Sequence, residues 1–344
     1  MIPEKQIKEL REYLSKAENP LFFYDDDPDG VCSYLLLKKY VDDRGKGIIV
    51  KSVPTLEEKF VRKVKEYCPD LVVVLDMPDI SQDFIDQVHV PIVWLDHHGP
   101  VERKGVHYYN PRLTAPKDNK PTSYYAYKVT KQNLWLATLG TTADWYYPNF
   151  AKEFATEYPD LLSKKVKKPE TVLYDTKLGE LVKIVSFLLK GDMKDVRTSI
   201  HLLSQMESPY EILNQTSPKG KWLYKRAMKF QKEYDVLLAD ALKTKAKGKL
   251  LLYYYPSTKN AFTSEISNEI LYKNPTKVTI IARESSGYMK LSFRSTDIKL
   301  PKLIEKAMDG LDGYGGGHEH ACGGNLNKDD FDEFIERFRA LIEK

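Results

Sequence analysis

Acidic side chains and a pair of histidines follow three short apolar runs of this sequence, each at the point where the run ends. The runs cover residues 21–24, 71–75 and 90–95, and the residues after them are Asp25, Asp27 and Asp29, then Asp76, then Asp96, His97 and His98. Continuous runs of β-branched and aromatic residues are typical of buried strands in a parallel sheet, whose ligands bind at the carboxyl ends of the strands. Carboxylates brought together there repel one another, and cations relieve that repulsion. The pattern therefore predicts a metal site with two ions.

The three aspartates of the first acidic group occupy every second position of an extended segment. A period of two places Asp25, Asp27 and Asp29 on one side of the chain. The alternative is a helix N-cap, since Asp is favoured just before a helix and contributes about 1 kcal/mol there. A cap uses one Asp, so we interpret the group as metal ligands.

The ends of the other two predicted strands supply the remaining residues of the predicted metal site. Asp76 alone would be a turn residue; beside the first group it is predicted to bridge two cations and to be catalytic. His97 is predicted to be a metal ligand and catalytic, because imidazole is the commonest nitrogen ligand. His98 is a second catalytic candidate that binds either metal or a substrate phosphate, and Asp96 is expected to orient or hydrogen-bond rather than ligate.

Asp144 belongs to the stretch 140–145, which lies in an otherwise apolar segment. An Asp in such a segment is costly unless it is paired or bound to metal. Asp144 is therefore a further predicted ligand, with a capping or surface Asp as the alternative.

A glycine-rich stretch and one arginine are candidates for substrate binding. Consecutive glycines let backbone N–H groups approach an anion, and a nearby His adds a donor; the same stretch is also compatible with a simple tight turn. An Arg at a strand end offers a bidentate phosphate contact, or is an ordinary surface residue. The candidates are Gly315, Gly316, Gly317, His318, His320 and Arg294.

The elements that must position these residues can be predicted from periodicity. Strands near 21–25, 47–52, 71–76 and 91–96 alternate with helices such as 31–41 and 56–67, which predicts a parallel α/β sheet. Further predicted elements are helices at 122–131 and 133–146, a basic loop at 163–169, helical structure over 174–245 with a break near 217–220, strands at 250–255, 278–282 and 289–294, a glycine-rich segment at 313–324 and a helix at 329–343. The fold class is α/β, with a helical connector and a smaller second α/β domain.

Composition sets broad limits on function. The chain has 344 residues and a net charge of +4, so charge alone does not indicate nucleic acid and any binding surface must be local. Three cysteines without metal spacing fit a reducing, cytoplasmic setting. No apolar run is long enough for a membrane span, and the N-terminal sequence lacks the apolar core of a signal peptide.

In order and spacing, these motifs resemble those of the DHH phosphoesterases. The matching motifs are Asp25-x-Asp27-Pro28-Asp29-Gly30, Asp76, Asp96-His97-His98 and Asp144, and the stretch Gly315-Gly316-Gly317-His318 resembles the companion DHHA1 domain. The family contains RecJ-type single-strand exonucleases, oligoribonucleases, cyclic-dinucleotide phosphodiesterases and family II pyrophosphatases. The oligoribonuclease and pyrophosphatase branches carry a His at the place of Phe23, so the chain looks most similar to the compact archaeal RecJ-like, helicase-associated nucleases.

The resemblance implies a two-metal phosphodiesterase that uses two Mn²⁺ ions, with Mg²⁺ as the other suitable ion. It implies a DHH catalytic domain over 1–160, a connector over 161–248 and a substrate-binding DHHA1 domain over 249–344. The expected activity is a single-strand-specific exonuclease on DNA or RNA, acting 3′ to 5′ in DNA replication or repair, with a helicase or replisome component as partner. The alternatives are an oligoribonuclease or cyclic-dinucleotide phosphodiesterase, and a non-catalytic replication or repair scaffold.

Overall fold

The structure is a computed structural model that describes residues 1–51, 53–257 and 260–343. The chain divides into two compact units, Met1–Ala227 and Met228–Lys344. The division into three parts, with boundaries at 160 and 248, stays a prediction.

The first unit contains a five-stranded sheet, a two-stranded sheet formed by residues 55–56 and 79–80, and most of the described helices. Its strands are β1 (Pro20–Asp25), β2 (Lys46–Val50), β3 (Thr55–Leu56), β4 (Leu71–Leu75), β5 (Asp79–Ile80), β6 (Ile92–Leu95) and β7 (His107–Tyr109). Its helices are α1 (Glu4–Lys16), α2 (Pro28–Tyr40), α3 (Val61–Tyr67), α4 (Gln82–Asp86), α5 (Thr122–Thr130), α6 (Leu134–Ala143), α7 (Ala151–Glu157), α8 (Pro169–Asp175), α9 (Lys177–Leu188), α10 (Met193–Ser204) and α11 (Tyr210–Leu213). The helix α12 (Pro218–Ala241) begins in the first unit and ends in the second.

The main sheet is parallel, as predicted. Its strand order is β2-β1-β4-β6-β7, and every neighbouring pair is parallel. All five residues of β4 are buried, which explains why the central strand is a continuous apolar run rather than an alternating one. The predicted strand at 47–52 ends at Val50, and Ser52 lies outside the described residues.

The register of this sheet brings the three acidic strand ends level. Tyr24 pairs with Leu75, and Leu75 pairs with Leu95. The next residues along the three adjacent strands are therefore Asp25, Asp76 and Asp96, which meet at one edge of the sheet.

Close packing of three helices fixes a fourth segment beside this edge. A Cβ atom added to Gly140 on α6 would lie 2.7 Å from the Cβ atom of Cys32 on α2 and 2.9 Å from that of Ser123 on α5. Only glycine permits that approach. The close packing brings the end of α6 toward α2, and Asp144 is the residue that follows α6.

Two predictions for the first unit are wrong in detail. The helix expected from residue 56 begins at Val61, because Thr55–Leu56 pairs with β5 as a short strand. The helical region at 174–245 is interrupted more than once: a left-handed Gly191 separates α9 from α10, and Pro209 precedes the short α11. Proline and left-handed glycine are common breaks between helices.

The second unit is a smaller α/β domain, as predicted. Its strands are β8 (Leu250–Tyr255), β9 (Val278–Ser285), β10 (Tyr288–Arg294), β11 (Gly313–His318) and β12 (Ala321–Asn327), and its helices are α13 (Thr263–Lys273), α14 (Pro301–Met308) and α15 (Phe331–Glu343). The sheet order is β11-β12-β10-β9-β8, antiparallel except for the pair β8 and β9. One face of the sheet packs on α14 and α15 in a shared apolar core.

The glycine-rich stretch is a hairpin rather than a loop. Gly315, Gly316 and Gly317 lie in β11 and pair with Gly324, Gly323 and Cys322 of β12. A nest needs successive residues in a turn-like conformation, whereas these glycines are extended, so the predicted anion-binding nest is not formed here.

None of the described helices combines the length and apolar character that a membrane span needs. The three cysteines are free thiols, with Cys32 and Cys322 buried and Cys68 exposed.

Candidate metal centre

Asp76 is the central acid of the site. It follows β4, is 1% exposed and adopts a left-handed backbone conformation with φ of 60°. Its carboxylate accepts a hydrogen bond of 2.9 Å from Thr122 Oγ1. Non-glycine residues in this region of backbone space are uncommon and concentrate at functional sites, where surrounding contacts hold them in place.

The first acidic group surrounds the start of α2. Asp25 ends β1, and Asp27 is the N-cap of α2, where its Oδ1 accepts a hydrogen bond of 2.9 Å from Gly30 N. The N-cap alternative is therefore correct for Asp27, although one carboxylate oxygen of this residue still lies near those of Asp25 and Asp76.

Asp29 sits in the first turn of α2 and is anchored by the start of α5. Its carboxylate accepts hydrogen bonds from Thr122 N at 2.8 Å and Ser123 N at 3.0 Å, and a third from Ser123 Oγ. Thr122 therefore links the two buried acids, because its backbone donates to Asp29 and its hydroxyl donates to Asp76.

His97 connects the sheet edge to the end of α6. It is 7% exposed, and its Nε2 lies 3.4 Å from Asp76 Oδ1 and 3.6 Å from Asp144 Oδ2. The side chain of Asp144 is 35% exposed, so it is the most open of these three groups.

The predicted ligands are brought together in three overlapping groups. Within each group one ligand atom per residue lies within 4.8 Å of the others, and the groups are Asp76, His97 and His98; Asp29, His97 and Asp144; and Asp25, Asp27 and Asp76. His97 and Asp76 are each shared by two groups. A shared carboxylate is what a bridging ligand between two cations requires.

Burial and the mutual repulsion of neighbouring carboxylates raise the pKa of several carboxyls in this cluster. Burial, together with the charge of Asp27, raises the pKa of Asp25 to about 8 and that of Asp29 to about 7. Burial and the neighbouring carboxylates also raise the pKa of Asp76 and of Asp144 well above the ordinary value. Oxygen donors with one imidazole, crowded at this density, fit divalent cations, which would supply the missing positive charge.

Asp96 organises the turn that carries the two histidines. It is 0% exposed and accepts hydrogen bonds from His98 N at 3.0 Å, His98 Nδ1 at 2.7 Å, Tyr108 Oη at 3.2 Å and Asn110 Nδ2 at 3.0 Å. Burial alone would lower the pKa of His98, but the hydrogen bond and charge of Asp96, together with the charges of Asp27 and Asp25, outweigh it, so this pKa is raised. Asp96 therefore orients His98 and favours its protonated form.

Replacing Asp96 by Asn is expected to lower the pKa of His98 below its wild-type value. The variant removes the charge that favours the imidazolium and leaves the burial that opposes it. The measurement is an NMR pH titration of the metal-free protein, with the His98 resonance assigned from a His98→Gln spectrum. We also expect kcat/KM to fall by about 10- to 100-fold, as for other residues that orient a site histidine.

The matched control is Tyr108→Phe, which deletes one donor to Asp96 and keeps the charge of Asp96. It should leave the pKa of His98 near the wild-type value. An unchanged pKa in Asp96→Asn would show that the charge of Asp96 does not control this histidine.

Four residues of this centre were not predicted. Thr122 and Ser123 hold Asp29 from 93 and 94 positions away, and Tyr108 and Asn110 hold Asp96 from 12 and 14 positions away. The sequence signal for the first pair is weak: a Pro-Thr-Ser start to a predicted helix marks an N-terminus but names no partner.

The predicted substrate-binding residues all lie in the second unit. His318 ends β11 and is exposed, whereas His320 lies in the hairpin turn, where its Nδ1 is 3.2 Å from the carbonyl oxygen of Ile298. Arg294 ends β10, and its guanidinium donates to Asn268 Oδ1 and to the carbonyl oxygens of Phe293 and Cys322.

Comparison with known families finds two matches on this chain. Residues 21–156 match the N-terminal domain of the DHH family, and residues 247–344 match the DHHA1 domain. The first match contains every residue of the candidate metal centre, and the second contains every predicted substrate-binding residue.

Solved structures share the fold over nearly the whole chain. RecJ from Thermus thermophilus in complex with Mn²⁺ is 16% identical with a TM-score of 0.69, and the match covers 98% of this chain and 54% of that one. An exonuclease RecJ bound to manganese is 17% identical with a TM-score of 0.65, covering 100% and 95%. A pGpG-specific phosphodiesterase from Vibrio cholerae is 15% identical with a TM-score of 0.54, covering 94% and 99%. This chain thus spans about half the length of the Thermus RecJ. No curated protein sequence matches it significantly.

Proposed function

The chain belongs to the DHH/DHHA1 family of metal-dependent phosphoesterases, and from that premise we propose that it is a single-strand-specific exonuclease. We propose that it removes nucleotides from the 3′ end of DNA or RNA, with two Mn²⁺ ions as cofactor. The observation that carries the proposal is the buried cluster of carboxylates and His97, in a chain whose fold matches exonuclease RecJ from end to end.

The six proposed ligands come from three overlapping groups, two of which contain Asp76. We assign Asp76 as the ligand shared by both ions, and the proposed ligands as a whole are Asp25, Asp27, Asp29, Asp76, His97 and Asp144. Bound divalent cations supply a Lewis acid for the phosphoryl group and a nucleophile from water at neutral pH. Mixed carboxylate and imidazole donors suit Mn²⁺ better than Mg²⁺.

His98 is the proposed proton donor of the site. Its Nδ1 is held by Asp96 at 2.7 Å, and its raised pKa favours the protonated ring. We assign to the other ring nitrogen a hydrogen bond to the substrate phosphate or to the oxygen that leaves the phosphorus.

The second unit is proposed to bind the end of the substrate. We assign this role to the β11 hairpin and Arg294, with His318 as the direct contact, because His318 is exposed while His320 is turned toward the Ile298 carbonyl. Gly315, Gly316 and Gly317 allow a ligand to approach the backbone of this hairpin closely.

Single strands should be degraded and blunt duplexes resisted. A duplex end must unpair at about 1.4 kcal/mol per step before one strand can enter a site built for a single backbone. We expect at least about a tenfold lower rate on the duplex. The measurement compares one end-labelled strand, alone and annealed to its full complement, at equal enzyme and Mn²⁺.

A third substrate sharpens this comparison: the same duplex with a single-stranded 3′ tail. It should lose the tail at the single-strand rate and then stall at the junction. Equal rates on single strand and blunt duplex would refute the single-strand preference.

Hydrolysis of short substrates is the second candidate function. This candidate is supported by the fold that the chain shares with a pGpG-specific phosphodiesterase, which matches over 99% of its own length. The two candidates differ in the substrate length they favour. A kcat/KM for a dinucleotide above that for a longer strand would favour the second candidate.

We propose that a separate helicase supplies single strands in DNA replication or repair, in the reducing cytoplasm. The sequence contains no Walker-type Gly-x-x-x-x-Gly-Lys-Ser/Thr stretch, so this chain carries no such motor motif of its own. Addition of a helicase and ATP should raise the rate at which the enzyme degrades the blunt duplex.

A further inference from the structure

The sheet of the second unit has one buried and one open face. Along β10, Met289, Leu291 and Phe293 belong to the apolar core against α14 and α15. Lys290, between them, is exposed on the opposite face. Helix α13 covers the part of that face formed by β9 and β10, where Ser267 Oγ lies 2.9 Å from Ser292 Oγ of β10.

The strand register shows which side chains lie on the open face. Tyr314 on β11 pairs with Asn325 on β12, which pairs with Lys290 on β10. Directly paired residues point to the same face, so these three side chains form one row. Two residues further along β11, Gly316 pairs with Gly323 in the second row.

The third row contains residues already assigned to the substrate end. His318 pairs with Ala321, and Ala321 pairs with Arg294. Tyr314, Gly316 and His318 therefore follow one another on a single face of β11, at about 7 Å per step. The side chain of Tyr314 is 70% exposed, which is unusual for a large aromatic residue in a folded domain.

Packing explains the glycines on the buried face of this hairpin but not those on the open face. A Cβ atom on Gly315 would lie 2.7 Å from Ile304 Cγ2, and one on Gly324 would lie 3.2 Å from a ring carbon of Phe293. A Cβ atom on Gly316 would meet nothing within 4 Å, and one on Gly323 would meet only the Leu291 carbonyl oxygen at 3.9 Å. The pair Gly316 and Gly323 thus leaves bare backbone between Tyr314 and His318, although other side chains would fit there.

The charge of this face fits an anionic ligand. Lys290 stands at one end of the three rows and Arg294 at the other. Asp312 lies at the far corner beside β11, where its carboxylate accepts hydrogen bonds from Asn327 Nδ2 at 3.1 Å and Tyr288 Oη at 3.5 Å. An exposed aromatic ring, flanking cations and a floor without side chains are the features with which proteins bind single-stranded nucleic acid.

We propose that this face binds a single strand of nucleic acid upstream of its terminal nucleotide. A base stacks on Tyr314, the neighbouring nucleotide lies on the floor of Gly316 and Gly323, and Lys290 contacts a phosphate. The assignment extends the proposed function, on which it rests, from the substrate end at His318 to the strand behind it.

The test is the binding of a fluorescein-labelled oligothymidylate of about 16 nucleotides in EDTA, where no hydrolysis occurs. Tyr314→Ala and Gly323→Val are each expected to raise Kd by about tenfold, because stacking and close approach are lost. Gly323→Val should keep or raise the melting temperature, since a β-branched residue replaces glycine in a strand with open space above it. Weaker binding by a fully folded variant then reports on the ligand alone.

The matched control is Tyr254→Ala, another exposed tyrosine of the same sheet. Tyr254 pairs with Ala282, which belongs to the buried face, and its hydroxyl donates to Glu284. Its Kd should equal that of the wild type. Values of Kd within twofold of the wild type for both Tyr314→Ala and Gly323→Val, or no binding by the wild type, overturn the proposal. Cleavage by the wild type with Mn²⁺ tests the proposed function separately, because binding in EDTA does not depend on it.

Discussion

The Asp76→Asn variant should lose at least about 10³-fold in kcat/KM while remaining folded. Asp76 is buried at the end of β4 and is shared by two of the three ligand groups, so its removal loosens the ligand set on both sides. The metal-free variant should be at least as stable as the wild type, because burial and four neighbouring carboxylates disfavour the charged form of Asp76. The measurements are steady-state hydrolysis with Mn²⁺ and thermal unfolding in EDTA.

Asp83→Asn provides the matched control for that experiment. Asp83 undergoes the same chemical change in the same unit, but it is exposed in the first turn of α4. Its activity and stability should match the wild type. Activity of Asp76→Asn within tenfold of the wild type would refute the role of Asp76 as the shared ligand.

The metal-free protein should lose stability as the pH rises from 5 to 8, by about 2 kcal/mol or more in the free energy of unfolding. In the unfolded chain the carboxyls of Asp25 and Asp29 have the ordinary pKa of 3.8, whereas in the fold these values are about 8 and about 7. The unfolded chain therefore releases protons in this window that the folded chain retains, which favours unfolding at higher pH. Urea unfolding in EDTA at the two pH values measures the effect.

Mn²⁺ should reverse this dependence, because it binds the deprotonated carboxylates of the folded state only. Its stabilising effect should thus be larger at pH 8 than at pH 5. Asp25→Asn, which removes one of the titrating groups, should show a smaller loss of stability in EDTA. A metal-free stability that is flat or rises between these pH values would contradict the account of a repulsive acidic cluster.

The strands that carry the acids could be predicted because their sequences are unambiguous. The runs at 21–24, 71–75 and 90–95 are buried, parallel and adjacent, as continuous β-branched and aromatic runs imply. Their common direction was enough to place Asp25, Asp76 and Asp96 at one edge. The α/β class of both units follows from the same kind of signal.

The glycine-rich hairpin could not be predicted as strands, because glycine has little preference for extended structure by itself. Pairing with β12 and the contact of Ile304 and Met308 with the face of Gly315 impose it instead. The partners of Asp29 and Asp96 escaped prediction for a related reason. Thr122 and Asn110 are ordinary polar residues whose roles arise only from long-range contacts.

The most direct test of the central claim is a product ladder from 5′- and 3′-labelled single strands incubated with Mn²⁺. A 5′-labelled strand should shorten by single nucleotides, a 3′-labelled strand should release labelled mononucleotide at once, and EDTA should prevent both. Failure to release any nucleotide with Mn²⁺ or Mg²⁺, or internal fragments as the first products, would contradict the assignment of this chain as a metal-dependent exonuclease.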